Sequence, residues 1–118
     1  MAKAISEGFP HEVRIVRSSD YRKLYKTAKK VHSERFILFW RENGLGHHRL
    51  GLTVSRKVGN AVVRNRAKRL FRDIFRKCFR EIPGQADIII NVKASYAKAN
   101  YIELRTEFLA AAQKIRHA

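Results

Sequence analysis

The stretch RLGLTVSRKVGNAVVRNRAKRLFRDIFR, residues 49–76, changes its hydrophobic period partway along, and this change decides the fold. Near its start, in LGLTV, every second side chain is a branched apolar one, which is typical of a strand with one buried face. After Gly59 and Asn60 the apolar residues recur at α-helical spacing, so a helix is predicted from Ala61 to about Phe79. Because glycine permits a tight turn and asparagine is a good N-cap, the stretch predicts a strand, a turn and a long helix.

The predicted helix has one apolar side and one basic side. Placing successive residues about 100° apart gathers an apolar set that would face the core, namely Val63, Ala67, Leu70, Phe71, Ile74 and Cys78. The opposite side and its flanks carry Asn65 and the cations Arg64, Arg66, Lys68, Arg69, Arg72, Arg76, Lys77 and Arg80. Residues 56–80 hold ten basic side chains and one acidic one, whereas the other 93 residues hold 16 and nine. The excess positive charge is therefore concentrated on this helix.

Like charge at this density is costly for a helix on its own. Cations in the first turns oppose the helix dipole, and each like-charged i,i+4 pair, such as Arg64 and Lys68, costs about 0.2–0.5 kcal/mol. Most charge runs are solvated faces, but a face shaped only for solubility would interleave Glu. The preference for Arg, whose guanidinium can bind phosphate with two hydrogen bonds, favours a phosphate-binding face over that alternative. The net charge of +16 and the pI near 10.8 likewise indicate a polyanionic partner.

Upstream, a first helix is predicted after an irregular lead-in at residues 1–17. Ser18, Ser19 or Asp20 can act as its N-cap. Its apolar side, at the spacing i, i+3, i+4, i+7, would consist of Tyr21, Leu24, Tyr25 and Ala28.

The remaining elements complete an α+β pattern. RFILFWR, residues 35–41, predicts a strand that pairs with residues 49–55 through a hairpin loop at residues 42–48. ADIIINV, residues 86–92, predicts an interior strand. Asn100 and Glu103 predict a capping box for a closing helix with the apolar stripe Tyr101, Leu104, Phe108, Ala111 and Ile115. We therefore expect one domain over residues 1–118, with a small mixed β-sheet covered by about three helices.

Nucleic acid and an anionic membrane are the two candidates for the polyanionic partner. No apolar run approaches the roughly 18 residues of a membrane span, and the N-terminus lacks a signal-peptide layout, so a cytoplasmic protein is expected. A membrane-surface role for the basic helix is disfavoured, because its apolar side is needed to cover the sheet. Cys78 is the only cysteine and is predicted to lie in the core, so neither a disulfide nor a zinc site is expected. His47 and His48 are predicted to be exposed turn residues of the hairpin loop or minor phosphate contacts.

Aromatic residues point to a second surface. Tyr21 and Tyr25 lie about one helical turn apart on the first helix. In the strand at residues 35–41, one side is formed by Phe36, Leu38 and Trp40, and the other by Ile37, Phe39 and Arg41. One side must be core, and the other can form a floor on which unpaired bases stack, a contact of about 1–3 kcal/mol per base in other systems. Aromatic residues are also ordinary core material, so core packing stays an equal alternative for each of them.

These segments together resemble a known family. GLTVSRKVGNAVVRNRAKRLFRDIFR, with SSDYRKLYK upstream and DIIINVK downstream, is similar to the protein subunit of bacterial ribonuclease P. The resemblance runs from about Val13 to the final helix, and its most specific part is Arg64-Asn65-Arg66 within the pattern K-x-G-x-A-V-x-R-N-R-x-K-R. It implies that the catalyst is an RNA subunit, which uses Mg²⁺ to release the 5′ leader of precursor tRNA by hydrolysis. The chain would then be an accessory subunit of an endoribonuclease, with no catalytic residue, no metal ligand and no required protein partner.

The resemblance also implies two sets of site residues. The helix would dock on the catalytic RNA through Gly59, Asn60, Arg64, Asn65, Arg66, Lys68, Arg69, Arg72 and Arg76. A cleft between the first helix and the sheet would bind the single-stranded leader through Tyr21, Tyr25 and Phe39, with Arg56 and Lys57 at its edge. The family's fold has a left-handed crossover between the strands on either side of the basic helix, and the same hand is expected here against the general right-handed preference.

One departure and two alternatives remain. Positions 21 and 25 are commonly phenylalanine in the family and are tyrosine here, so the affinity for the leader can differ. The main alternative is a ribosomal or RNA-chaperone-like binding module with no nuclease role, which composition alone does not exclude. A self-sufficient protein nuclease is disfavoured, because such an enzyme needs clustered carboxylates or a paired base, and Asp20, Asp73 and Asp87 fall on separate predicted elements.

Overall fold

Three helices and a four-stranded sheet make up the fold. The computed structural model describes residues 18–117, with side chains for 21–78 and 80–115. The helices are α1 (Ser18–Thr27), α2 (Ala61–Cys78) and α3 (Tyr101–Ala112), and the strands are β1 (Lys29–His32), β2 (Phe36–Glu42), β3 (Arg49–Thr53) and β4 (Ala86–Val92). Short 3₁₀ turns occupy Arg56–Val58, Phe79–Glu81, Ala94–Lys98 and Gln113–His117. The predicted α+β class is confirmed, and the predicted lead-in at residues 1–17 lies outside the described residues.

The strand order corrects one prediction. The sheet has the order β1-β2-β4-β3, with antiparallel pairs β1–β2 and β2–β4 and a parallel pair β4–β3. The predicted hairpin of β2 with β3 is therefore wrong, because β4 lies between them. The physical reason is that β4 is the most apolar strand, buried at every position except Asn91, and an interior position pairs both of its edges. The prediction that residues 86–92 form an interior strand is confirmed.

The edge strand β1 has no counterpart among the predicted strands. Val31 is its only buried residue, and the other three side chains are Lys or His. A strand so short and polar carries no alternating apolar signal. Charged, short edge strands are common in natural sheets because they discourage pairing with other chains.

The parallel pair gives the fold its βαβ unit. Since β3 and β4 are parallel neighbours joined through α2, the unit that the resemblance implies is present. The left-handed sense of this crossover stays a prediction. No helix in the described residues is long and apolar enough to cross a membrane.

The main core lies between one face of the sheet and the helices α2 and α3. The side of β2 that carries Phe36, Leu38 and Trp40 faces this core, which settles the alternative left open for that strand. The predicted apolar side of α2 also faces it, with Cys78 fully buried and Val63 and Leu70 partly buried. The buried arc of α2 is wider than predicted and includes Phe75, because α2 contacts α3 as well as β3.

The closing helix begins as predicted. Asn100 Oδ1 accepts a hydrogen bond from the Glu103 N–H at 2.8 Å, and Glu103 Oε1 accepts one from the Asn100 N–H at 2.9 Å. This capping box is confirmed. Of the predicted stripe, Tyr101 is partly buried, whereas the other four residues are buried, namely Leu104, Phe108, Ala111 and Ile115.

The loop at residues 43–48 corrects the prediction for His48, whose side chain is only 4% exposed. The loop crosses the start of β4 instead of turning back, because β3 lies on the far side of that strand. It is held there by a hydrogen bond of 3.0 Å from the Asn43 N–H to the Gln85 carbonyl. His48 Nδ1 accepts a hydrogen bond from the Ala86 N–H at 3.1 Å, so Nε2 is the donor to the Ile82 carbonyl at 2.9 Å.

Candidate RNA-binding surfaces

The start of α2 is built on Gly59 and Asn60. Asn60 Oδ1 accepts a hydrogen bond from the Val63 N–H at 3.0 Å, which confirms the predicted N-cap. A Cβ added to Gly59 would lie 2.9 Å from the Val63 Cβ, so the chain can approach the helix this closely only with glycine. Arg64 Nε donates to the Gly59 carbonyl at 3.2 Å and so lies back over the turn.

The basic surface, as we define it, is the outward side of α2 from Arg64 to Arg76 together with Gly59 and Asn60. Asn60, Asn65, Arg66 and Arg69 are exposed, and the other side chains of this surface are partly exposed. Asp73 pairs with Arg76 at 2.5 Å and with Lys77 at 3.3 Å. Within the described residues, no ion pair engages the other five cations of this surface, which are Arg64, Arg66, Lys68, Arg69 and Arg72.

Asp73 distinguishes Arg76 from the rest of the basic surface. Burial by itself would raise the pKa of Asp73, but hydrogen bonds from Arg76 and Lys77 outweigh it and hold that pKa below its ordinary value. Asp73 is therefore a carboxylate near neutral pH and partly neutralises Arg76. Of the cations predicted to bind the catalytic RNA, Arg76 is the one that an ion pair engages within the described residues.

The opposite face of the sheet, beneath α1, is the second surface, which we call the cleft. Strand register places two rows of side chains across this face. The first row consists of Lys30, Phe39, Ile89 and Gly51, and the second of His32, Ile37, Asn91 and Thr53. Leu24 and Ile89 form a small buried cluster against which Tyr21, Ala28 and Phe39 pack.

Tyr21 lies over the β3 edge of the cleft. A Cβ on Gly51 would be 2.7 Å from the Tyr21 hydroxyl oxygen, so Gly51 makes room for this ring. Burial raises the pKa of Tyr21, and an interaction with the Leu52 backbone lowers it by less. The positive charge of Arg72 also lowers the pKa of Tyr21, and helix α2 contacts β3, the strand against which Tyr21 lies. The basic surface and the cleft therefore meet around the β3 edge.

Tyr25 is the most exposed aromatic residue of the cleft, with 38% of its surface accessible. Its ring meets Phe39 edge to face, with the centroids 4.8 Å apart and the planes at 89°. Its hydroxyl donates to Asn91 Oδ1 at 2.7 Å and lies 3.1 Å from Thr53 Oγ1. Lys30 Nζ is 5.8 Å from the centroid of the Phe39 ring, which adds positive charge to the cleft.

The structure brings three of the five predicted leader-binding residues together. Tyr21, Tyr25 and Phe39 share the cleft. Arg56 and Lys57 are exposed in the 3₁₀ turn between β3 and α2, next to the start of the basic surface.

Sequence reasoning missed the polar residues in the two rows of the cleft, which are Lys30, His32, Thr53 and Asn91. The signal for Asn91 was its position as a polar residue within the apolar run of β4. Among the described residues, no three His, Cys, Asp or Glu side chains gather in a way that could hold a metal ion.

Taken together, the fold and the two surfaces define a small basic α+β domain with unpaired cations on one helix and an aromatic cleft beneath another. A family model for ribonuclease P matches residues 9–116. The chain belongs to the ribonuclease P protein family.

Curated relatives carry the same assignment. The chain is 36% identical over 93 residues to the ribonuclease P protein component of a Thermoanaerobacter species, covering 79% of this chain and 80% of the relative. It is 39% identical over 105 residues to that of Desulfovibrio desulfuricans, covering 85% and 80%.

Solved structures agree with the sequence relatives. The ribonuclease P protein from Thermotoga maritima superposes with a TM-score of 0.80 at 30% identity, covering 86% of this chain and 96% of that one. The ribonuclease P protein from Staphylococcus aureus gives 0.75 at 29% identity, covering 84% and 91%. Family membership makes the chain a protein subunit of an endoribonuclease of tRNA processing, with ribonuclease P RNA as its partner.

Proposed function

We propose that this chain binds the catalytic RNA of ribonuclease P through the basic surface and the single-stranded 5′ leader of precursor tRNA through the cleft. It thereby assists the Mg²⁺-dependent hydrolysis that removes the leader. The RNA subunit carries out the chemistry and holds the Mg²⁺. The proposal assigns no metal ligand to the protein, in keeping with the scattered carboxylates of the described residues. It needs no protein partner, and it places the chain in the cytoplasm.

The observation that carries the proposal is that the two surfaces meet at one edge of the sheet. Helix α2 contacts β3, and Tyr21 of the cleft lies against Gly51 of the same strand, so an RNA bound to α2 would lie next to an RNA strand bound beneath α1. Arg56 and Lys57 are exposed between the two surfaces in sequence. A protein that neutralises phosphates at such a junction lets two polyanions approach each other.

Each surface also fits its proposed ligand. Five cations of α2, which no ion pair engages in the part of the chain that the structure describes, present guanidinium and ammonium groups to solvent, which suits phosphate. The cleft offers the exposed part of Tyr25 beside β2, the strand that carries Phe39 and Ile37, and single-stranded bases bind proteins by stacking on such rings. A leader gripped in this way gives precursor tRNA an affinity advantage over mature tRNA.

The first test is leader cleavage of precursor tRNA by a bacterial ribonuclease P RNA at low Mg²⁺, with and without this protein. We expect strong stimulation by the wild type and little by Arg66→Gln/Arg69→Gln, because both guanidiniums are exposed and unpaired. Arg64 is left unchanged because its bond to the Gly59 carbonyl also supports the start of α2. The matched control is Lys98→Gln/Lys114→Gln, which removes the same charge from exposed sites outside both surfaces and should stimulate like the wild type.

Three other results would contradict parts of the proposal. Equal loss in both double variants would mean that net charge matters and the basic surface does not. No stimulation by the wild type, with RNA binding intact, would favour a ribosomal or RNA-chaperone-like module. If the protein stimulates cleavage but does not favour binding of precursor over mature tRNA, only the proposed binding of the leader by the cleft is contradicted.

A further inference from the structure

A chain of hydroxyl and amide groups crosses the floor of the cleft. The Tyr25 hydroxyl donates its proton to Asn91 Oδ1 at 2.7 Å. Thr53 Oγ1, 3.1 Å from the Tyr25 oxygen, is then left as the donor to that oxygen. Thr53 and Asn91 are direct neighbours in the parallel register of β3 and β4, so the backbone fixes this arrangement.

This arrangement leaves the amide nitrogen of Asn91 available. Within the described residues, no hydrogen bond engages Asn91 Nδ2, and the Asn91 side chain is partly exposed. The amide oxygen is taken by Tyr25, so Asn91 offers two N–H donors and no acceptor to a ligand. On the same row Asn91 is flanked by Ile37 of β2, a partly exposed apolar side chain.

We propose that Asn91, oriented by Tyr25 and Thr53, is a specificity-determining residue that donates to a carbonyl oxygen of one leader base and disfavours adenine at that position. The inference rests on the proposed function of the cleft. Adenine is the only standard RNA base without a carbonyl oxygen, and on its N6/N7 edge the acceptor stands beside an amino group. A free asparagine pairs with that edge through its oxygen and its nitrogen together, and here the oxygen is occupied.

The hydroxyl of Tyr25 is what imposes this selectivity. A phenylalanine at position 25 would keep the ring but release Asn91 Oδ1, and the amide could then satisfy both groups of the adenine edge. The discrimination against adenine therefore depends on the tyrosine of this chain.

The experiment uses the holoenzyme reconstituted from ribonuclease P RNA and this protein. Its substrates are precursor tRNAs whose leaders are all adenosine except for one uridine, moved along the leader one position at a time. We expect the dissociation constant to be about threefold to tenfold lower for uridine at one position, as for one hydrogen bond to a neutral group, and unchanged elsewhere.

Two nearly isosteric variants test the mechanism. Tyr25→Phe should bring the uridine and adenosine precursors to within about twofold of each other at that position. Asn91→Asp keeps the acceptor for the Tyr25 hydroxyl but loses both donors, so it should reverse the order and favour adenosine, whose amino group can donate to the carboxylate. Tyr101→Phe is the matched control, because it also removes one tyrosine hydroxyl, at a position of α3 outside the cleft, and should keep the uridine preference.

Each outcome separates this inference from the proposed function. Equal binding of uridine and adenosine at every position, with precursor still bound more tightly than mature tRNA, would overturn the role of Asn91 and leave the cleft in place. Loss of the precursor preference itself would overturn both. If the wild type binds the adenosine precursor more tightly than the uridine precursor, the Asn91 amide presents its oxygen to the base, which also contradicts the proposal. The wild-type scan decides these points even if a variant fails to fold.

Discussion

At the scale of single residues, His48 is a buried group whose protonation state the fold fixes. Its ring lies between the Ala86 N–H, which donates to Nδ1, and the Ile82 carbonyl, which accepts from Nε2. Burial lowers the pKa of His48 below the ordinary histidine value. The neutral imidazole is therefore the folded form near neutral pH.

This burial predicts a pH-dependent stability. The unfolded chain binds a proton at His48 more readily than the folded chain does. The contribution of neutral His48 to the free energy of unfolding is therefore complete above about pH 6.5. It is lost as the pH falls below that value through the lowered pKa of the folded state. Denaturant unfolding of the isolated protein between about pH 7.5 and pH 5 should show this loss. For one proton, the free energy of unfolding can fall by about 1.4 kcal/mol per pH unit.

Variants of two histidines check the assignment. His48→Leu should be less stable near pH 7 by about 1–3 kcal/mol, because two buried backbone groups lose their partner, and its stability should depend less on pH in this range. His32→Leu, at an exposed position of β1, should keep the wild-type slope. An unchanged slope in His48→Leu would show that another group titrates.

At the scale of elements, α2 is a helix whose charges oppose its own formation. Its first turn contains no acidic residue, and Asp73 is its only carboxylate. What stabilises the helix is its apolar side, with Ala67, Phe71 and Ile74 buried against the sheet and α3. The repulsion on the outer side therefore remains until an anion neutralises it.

Anion binding should consequently stabilise the isolated protein. We expect sulfate or phosphate to raise the melting temperature more than chloride does at equal ionic strength, through binding to the native state. Sulfate also strengthens apolar burial in any protein, so the decisive comparison is with Arg66→Gln/Arg69→Gln, which should show a smaller increase. Equal increases in wild type and variant would mean that the basic surface does not bind the anion.

At the scale of the whole molecule, one thin sheet separates the cleft from the main core, and the basic surface reaches the cleft around its β3 edge. The sheet gives both surfaces a rigid base, since β4 is paired on both sides and covered on both faces. Helix α2 and Tyr21 both lie against β3, so the sheet holds the basic surface and the cleft next to each other.

Salt dependence tests how much of the binding is phosphate contact. Binding to ribonuclease P RNA should weaken by about 10³–10⁵ between roughly 50 and 200 mM salt if six to ten phosphates are engaged. Arg66→Gln/Arg69→Gln should lower the slope of log K against log salt by about two, one for each lost phosphate contact. Lys98→Gln/Lys114→Gln should keep the wild-type slope, and a matching decrease there would show that the contacts are spread over the whole surface.

The amino-acid sequence by itself determined the local features of this protein. The change of period after Gly59 and Asn60 predicted α2, the Asn100–Glu103 pair predicted the start of α3, and the crowding of Arg and Lys on α2 predicted the basic surface. These features depend on residues within a few positions of each other, so they can be read from spacing.

Only the tertiary structure decided which strands are neighbours and which side chains from distant parts of the sequence are in contact. The insertion of β4 between β2 and β3, the burial of His48 and the contact of Tyr25 with Thr53 and Asn91 all join residues far apart in sequence. The physical reason is that β4 can bury its apolar side chains and pair both edges only in the interior of the sheet. The spacing of residues within one segment does not indicate which strands will lie beside it.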